Sequence, residues 1–274
     1  MKRVVYTVYF ELSEEEIARD TEYYRGDDPS VSKSRRTQIE FRRHYDRLRA
    51  GLASYAVLCG ADFFLLGDDA RFRQFCRRMP AMSTYQLINL YKIFLLEHFA
   101  ETYDEILYCD FDIVPNTFQS IFEEFDFSRG VCLYPQKPMR ADQPFKSERS
   151  PATKHEAVGR MLASNGIRRP HEVPNTGIIG IAQSDVDRIS FFAADFPDLL
   201  AEITRLGFVV NNEALLSYRL CANRIVTQPL CDSWHHIYNS GDAGGLNEQA
   251  HMIHVICKRF DDVWDARALR CPSD

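Results

Sequence analysis

The sequence predicts one α/β domain built on a mixed, mostly parallel sheet flanked by helices. Three observations predict it. Short apolar runs that suit buried strands alternate with longer stretches whose apolar residues recur every three or four positions, the pattern of strands joined by crossover helices. Of 274 residues, 45% are hydrophobic, enough to fill one large core. Strand candidates become less regular in the second half, so a mixed sheet is expected rather than a wholly parallel one.

Residues 4–10 mix β-branched and aromatic side chains, as a buried first strand does. The stretch 23–36 is polar and holds Gly26, Asp27, Asp28 and Pro29, which suits a long loop. Across 38–59, Ile39, Tyr45, Leu48, Leu52, Tyr55, Ala56 and Cys59 fall at helical spacing, with Gly60 as the expected stop. Residues 62–66 read as a second strand, followed by Gly67-Asp68-Asp69. Residues 84–100 carry a strong helical pattern that Ser83 or Thr84 would cap. Gln86, Asn89 and Lys92 share one side of that helix, expected to face a polar cleft.

Strands follow at 106–108 and 130–134. From 135 to 173 prolines, lysines and arginines accumulate and large apolar residues thin out, so the segment reads as a lid-like excursion over one face, with a short helix near 154–165. A strand at 178–182, a helix over 185–206, and a helix opened by Asn211-Asn212-Glu213 come next. A strand at 224–228, a glycine-rich loop at 240–245 and an apolar run at 251–257 complete the chain. There is no internal repeat and no low-complexity tract.

The stretch 104–116 carries the clearest chemical signal. Its apolar run ends in Asp110 and Asp112. If the strand continues through them, residues two apart point to the same side. Two such carboxylates repel each other unless a cation lies between them. Pro115 is expected to stop the strand. The crevice beyond strand ends is where open α/β sheets bind ligands. These residues predict a divalent-cation site that holds a phosphorylated ligand.

The order of features resembles the GT-A-type glycosyltransferases, which use nucleotide-sugar donors. Tyr55-Ala56 with Gly60-Ala61-Asp62 resembles their helix-then-strand segment, and Lys92 sits on the helix before the acidic strand. Leu107-Tyr108-Cys109-Asp110-Phe111-Asp112 is similar to their Asp-x-Asp motif, and Asn175-Thr176-Gly177-Ile178 to their Asn-x-Gly strand. His254 and Lys258 resemble the late His and Lys of the glycogenin and lipopolysaccharide galactosyltransferase-like families, although only three residues separate them and the neighbouring Gly and Pro are missing.

The resemblance implies a GT-A-like fold with a Rossmann-like first half. It implies a nucleotide-binding half over 1–116 and an acceptor and sugar half over 117–274 of one catalytic domain. Asp110 and Asp112 would bind Mn2+ or Mg2+, with His254 completing the metal shell; His251 is an alternative. Lys258, Lys92 and Asp110 would hold the donor diphosphate, and Thr7 and Tyr9, with Tyr6, would face the base. Asn175 and Glu213 would act at the transferred sugar, and Trp234, His235 and His236 would line the acceptor side. The donor would be a nucleotide-diphosphate sugar, UDP-linked by default. The acceptor would be a glycan or glycolipid, and the late His and Lys imply retention.

Plainer readings accompany these. His254 among Ile253, Val255 and Ile256 suits a packed core histidine, and Glu213 suits a helix-start dipole partner. Asp-x-Asp before Ile113-Val114 also resembles the first motif of haloacid-dehalogenase-type phosphatases, but that motif ordinarily ends the first strand of its core. A nucleotide-sugar-binding module without catalysis fits the same residues.

Bulk properties narrow the partners. A net charge of −6 argues against nucleic acid as the main ligand. Arg35-Arg36 and Arg42-Arg43 are expected on a solvated helix face. The apolar run at 4–10 is too short for a signal peptide and leads straight into Glu11. No stretch is long enough to span a bilayer, so any membrane contact is expected to be peripheral. None of the eight cysteines forms a Cys-x-x-Cys pair, which predicts reduced thiols and a cytoplasmic location.

Overall fold

The computed structural model describes residues 1–20, 22, 28, 30–80, 82–136, 151–239 and 245–268. Among them the strands are β1 (Arg3–Val8), β2 (Asp62–Leu66), β3 (Glu105–Cys109), β4 (Ile113–Pro115), β5 (Val131–Gln136), β6 (Val173–Ala182), β7 (Thr227–Pro229), β8 (His236–Tyr238) and β9 (Met252–Val255). Six of these form one sheet in the order β2-β1-β3-β6-β5-β7. β1 pairs in parallel with β2 and β3, and β7 in parallel with β5, while β6 is antiparallel to both of its neighbours. Five strands therefore run one way and β6 runs the other, as a mostly parallel mixed sheet requires. The sheet draws strands from both halves of the chain. β4, β9 and β8 make a second, three-stranded sheet.

The helices are α1 (Glu14–Arg19), α2 (Lys33–Leu58), α3 (Ala70–Arg78), α4 (Thr84–Ala100), α5 (Ile121–Glu124), α6 (Pro151–Ser164), α7 (Gln183–Ile189), α8 (Phe196–Arg205), α9 (Asn212–Ala222) and α10 (Phe260–Ala268). Strand alternation sorts them onto two faces. Val4, Tyr6 and Val8 of β1, with Ile106 and Tyr108 of β3, pack with Leu90, Tyr91 and Leu95 of α4 and Leu215 of α9. Val5, Leu107 and Cys109 point the other way, onto Leu48, Leu52 and Ala56 of α2. Burial on both faces explains why β1 and β3 read as unbroken apolar runs. Gly180 of β6 is required by packing: a Cβ there would lie 2.5 Å from the Phe127 ring.

Several expectations need correction. Helix α2 begins at Lys33, capped by Ser32, so the end of the predicted 23–36 loop is helical; residues 23–27 and 29 lie outside the described residues. Helix α3 follows Asp69, whose side chain caps it by accepting from the Phe72 amide, a start signal the sequence reading passed over. The predicted 185–206 helix is two helices, because α7 ends at Ser190 with a left-handed φ of 43°. Pro115 does not end the acidic strand; it is the last residue of β4. Of the 135–173 excursion, 137–150 lie outside the described residues, and so does 240–244 of the glycine-rich loop.

The arginine pairs on α2 are neutralised locally: Arg35 meets Glu14, Arg36 meets Glu40, Arg42 meets Glu11, and Arg43 meets Asp261. The seven described cysteines are free thiols. No helix among the described residues is long and apolar enough to cross a membrane.

Candidate active site

A cleft of about 580 Å³ opens at the carboxyl ends of β1 and β3. Its floor is the segment that leaves β3. The strand stops at Cys109. The Asp110 amide then donates to the Gly177 carbonyl at 2.7 Å, and the Ile113 amide closes a turn onto the Asp110 carbonyl at 3.0 Å. Asp110 and Asp112 therefore share a side because they sit in a turn, not because they alternate along a strand.

The next strand, β4, places Ile113 opposite His254 of β9. That register brings the His254 Nε2 atom to 3.3 Å from Asp112 Oδ1 and 3.8 Å from Asp110 Oδ2. The outer oxygens of both acids are engaged elsewhere. Lys92 donates to Asp110 Oδ1 at 3.0 Å and to the Thr176 carbonyl at 3.1 Å, and the Tyr108 hydroxyl also donates to Oδ1. Lys258 donates to Asp112 Oδ2. Each acid thus gives one oxygen to a lysine and turns the other toward His254. His251 is elsewhere, bonded to Thr117 at 2.9 Å and stacked on Trp234.

Burial decides the electrostatics. Asp112, Lys92, His254 and Lys258 are all buried. Burial alone would raise the Asp112 pKa, but Lys258 and then His254 more than offset it and hold the carboxyl well below its usual range. Burial, reinforced by the acidic neighbours, pushes the Tyr108 hydroxyl well up, so it stays a donor. Lys258 has a left-handed φ of 60°, which non-glycine residues rarely adopt.

His254 is held from two sides. Its Nδ1 lies 3.1 Å from Nε2 of the fully buried His235. Burial, then the neighbouring His254, hold His235 well below the ordinary imidazole range, so it is neutral. On the other side lies Gly177, where a Cβ would meet the His254 ring at 2.5 Å and the Asn175 Oδ1 at 2.9 Å. The Asn175 side-chain Oδ1 accepts from the Gly177 amide at 2.8 Å while the residue lines the cleft.

The opposite wall comes from α9. Asn211 is its cap, accepting from the Glu213 and Ala214 amides. Glu213 therefore has no capping duty. Its carboxylate faces the cleft, where it accepts from Lys154 of α6 and, at 3.1 Å, from the Gln136 side chain. Asn212, which the sequence reading treated only as a helix start, also lines the cleft and donates to the Thr176 hydroxyl at 2.8 Å. Lys154 was likewise missed as a partner, since only the fold brings it to a residue 59 positions away.

Of the three base-facing candidates, Tyr9 lines the cleft and tilts against Phe111 at 4.9 Å. Thr7 is fully buried and does not line it, and its hydroxyl has no partner among the described residues. Tyr6 is buried as well and donates to the Lys92 carbonyl at 2.6 Å. Trp234, His235 and His236 do not line the cleft. Trp234 packs against Phe125 and His251, and His236 accepts from the Asn247 amide.

The donor set fits a hard divalent cation. Asp110, Asp112 and His254 each offer an atom within 4.8 Å of the others, and two carboxylates with an imidazole suit Mn2+ or Mg2+.

No family model matches the chain, and no curated protein does. Solved structures resemble it distantly. Mouse xyloside xylosyltransferase 1 is 11% identical, with a TM-score of 0.49, over 94% of this chain and 98% of its own. The galactosyltransferase LgtC in complex with donor and acceptor sugar analogues is 12% identical, with a TM-score of 0.46, over 97% and 94%. A glycosyltransferase involved in glycosylation of the major capsid of PBCV-1 is 9% identical, with a TM-score of 0.44, over 97% and 100%.

Proposed function

We propose that the protein is a metal-dependent glycosyltransferase that moves a hexosyl unit from a nucleotide-diphosphate sugar to a glycan or glycolipid hydroxyl. The observation that carries this reading is the convergence of Asp110 Oδ2, Asp112 Oδ1 and His254 Nε2 while lysines hold the outer oxygens. Lys92 and Lys258 already balance the two acids. A dication at this point would leave a net positive centre, which a diphosphate matches and a neutral sugar does not.

In this reading Asp110, Asp112 and His254 would hold Mn2+ or Mg2+, and the ion would supply positive charge against a diphosphate leaving group. Lys258 and Lys92 border the same point and steady the phosphates. Tyr9 and its aromatic neighbours form the wall for the base, uracil by default. Asn175 and Glu213 contact the sugar hydroxyls. The His254 and Lys258 pair resembles that of retaining families, and retention is the outcome we assign. Free thiols suit a reducing compartment, so we place the protein in the cytoplasm, with any membrane contact peripheral.

A phosphatase with an aspartyl nucleophile fits less well, because Asp110 follows the third strand of the sheet in chain order rather than the first. Calorimetry and thermal shift with UDP-sugars, with and without Mn2+, test the proposal. Donor binding and a raised melting temperature only with metal are expected. Metal-independent binding, or none across a nucleotide-sugar panel, counts against it. Donor hydrolysis with Mn2+ separates an enzyme from a silent binding module.

A further inference from the structure

His235 lies outside the cleft, yet its placement is specific. It is fully buried. It immediately precedes β8, which pairs in parallel with β9 so that Ile237 sits opposite His254. Its ring lies 5.3 Å from the His254 ring at 28°, and the Tyr134 ring stands edge-on behind it at 5.2 Å. Nε2 of His235 is 3.1 Å from Nδ1 of His254.

We propose that His235 is the positioning residue of the cation site, holding His254 in the one tautomer and orientation that turns an Nε2 lone pair toward Asp110 and Asp112. The inference rests on the metal-dependent reading above. An imidazole that offers Nε2 to a cation must carry its hydrogen on Nδ1. In this structure the Nδ1 of His254 faces the Nε2 of His235, which accepts that hydrogen when its own is on Nδ1. Ligating histidines usually have such a partner for the second ring nitrogen, and losing it weakens metal affinity.

A second observation points the same way. The Nδ1 of His235 is buried with no hydrogen-bond partner among the described residues. A ring kept only to fill space would do better without that nitrogen, because an unpaired buried polar atom is destabilising. Retaining it makes sense if the other nitrogen has work to do.

The test is Mn2+ binding, by calorimetry and by electron paramagnetic resonance of the free ion, on the full chain without donor. His235→Phe keeps a ring and removes the acceptor. His235→Gln keeps an acceptor near the Nε2 position. The expected result is an affinity loss of about 10–100-fold for His235→Phe, a melting temperature without metal equal to or above wild type, and recovery by His235→Gln. Equal affinity in a folded His235→Phe overturns the inference. Equal loss in both variants with a lowered melting temperature also overturns it, leaving a packing role. Should His235→Phe not fold, nitrogen-15 shifts of His254 in the wild type, titrated with Mg2+, decide. Hydrogen on Nδ1 supports the inference and hydrogen on Nε2 overturns it. A wild type that takes up no Mn2+ removes the metal reading itself, and His235's role with it. Mn2+ uptake by wild type with unaltered His235→Phe removes only His235's role.

Discussion

Gly177 and His254 are in such close contact that a single methyl group cannot be placed between them: a Cβ on Gly177 would lie 2.5 Å from the His254 ring. This contact, more than the strand's need for a flexible residue, explains glycine in the Asn175-Thr176-Gly177 sequence, since Gly177 has no left-handed φ.

Gly177→Ala is therefore expected to displace the His254 ring. Overpacking of this kind typically costs about 1–3 kcal/mol. Mn2+ affinity should fall about tenfold or more, because the ligand moves rather than disappears. Denaturant unfolding and calorimetry on the same variant check both parts.

Asp112 gives a pH dependence with a definite sign. Lys258 and His254 depress its pKa in the folded protein. The stability it contributes is therefore fully present above the unfolded carboxyl value of about 3.9 and is lost as pH falls below that. Between pH 6 and pH 3 the wild type should lose more stability than Asp112→Asn, which has no carboxyl to protonate. Parallel loss in the two proteins would mean the carboxyl is not held by its neighbours. Asp112→Asn also removes the buried ion pair with Lys258, so its stability at neutral pH is expected to be lower than that of wild type.

Glu213→Gln tests the sugar contact proposed for this residue against a role in nucleotide binding. Glu213 meets Lys154 and Gln136 across the cleft and is not among the cation-holding residues. The variant should bind Mn2+ and UDP as wild type does while its turnover falls roughly 10–100-fold, the scale of one charged hydrogen bond. A fall in nucleotide affinity instead would place Glu213 at the diphosphate.

Ser190→Gly addresses the fold alone. Ser190 ends α7 at a φ of 43°, where glycine is unstrained. Melting temperature should rise slightly, by the equivalent of about 0.5–1 kcal/mol, with activity unchanged.

Where the local code was strong, the sequence was readable to the residue. The 84–100 helix is an example: Ser83 and Gln86 close a capping box at its start. The two acids were readable as a pair, but their geometry was not. The turn after Cys109 depends on the Gly177 carbonyl, 67 residues away. The choice between His251 and His254 was half legible. Residues an odd number apart in a strand face opposite ways, so only one could meet the acids. Which one required the register of Ile113 against His254, a contact between distant segments. The bonds from His235 to His254 and from Lys154 to Glu213 leave no periodic trace in the chain, and neither do three-residue strands such as β7 and β8.

Because β6 alone runs against the other strands of its sheet, the chain departs from Gln136 and comes back at Val173 on the same rim, beside the cleft. The described helix of that detour, α6, is tied into the core through the buried Val158, Met161 and Leu162, so its composition is constrained by packing. The cation-holding Asp110, Asp112 and His254 lie outside the detour, whereas Lys154, the partner of Glu213, lies within it. A substitution at Lys154 alone would therefore alter the wall at Glu213 while leaving the cluster of Asp110, Asp112 and His254 in place.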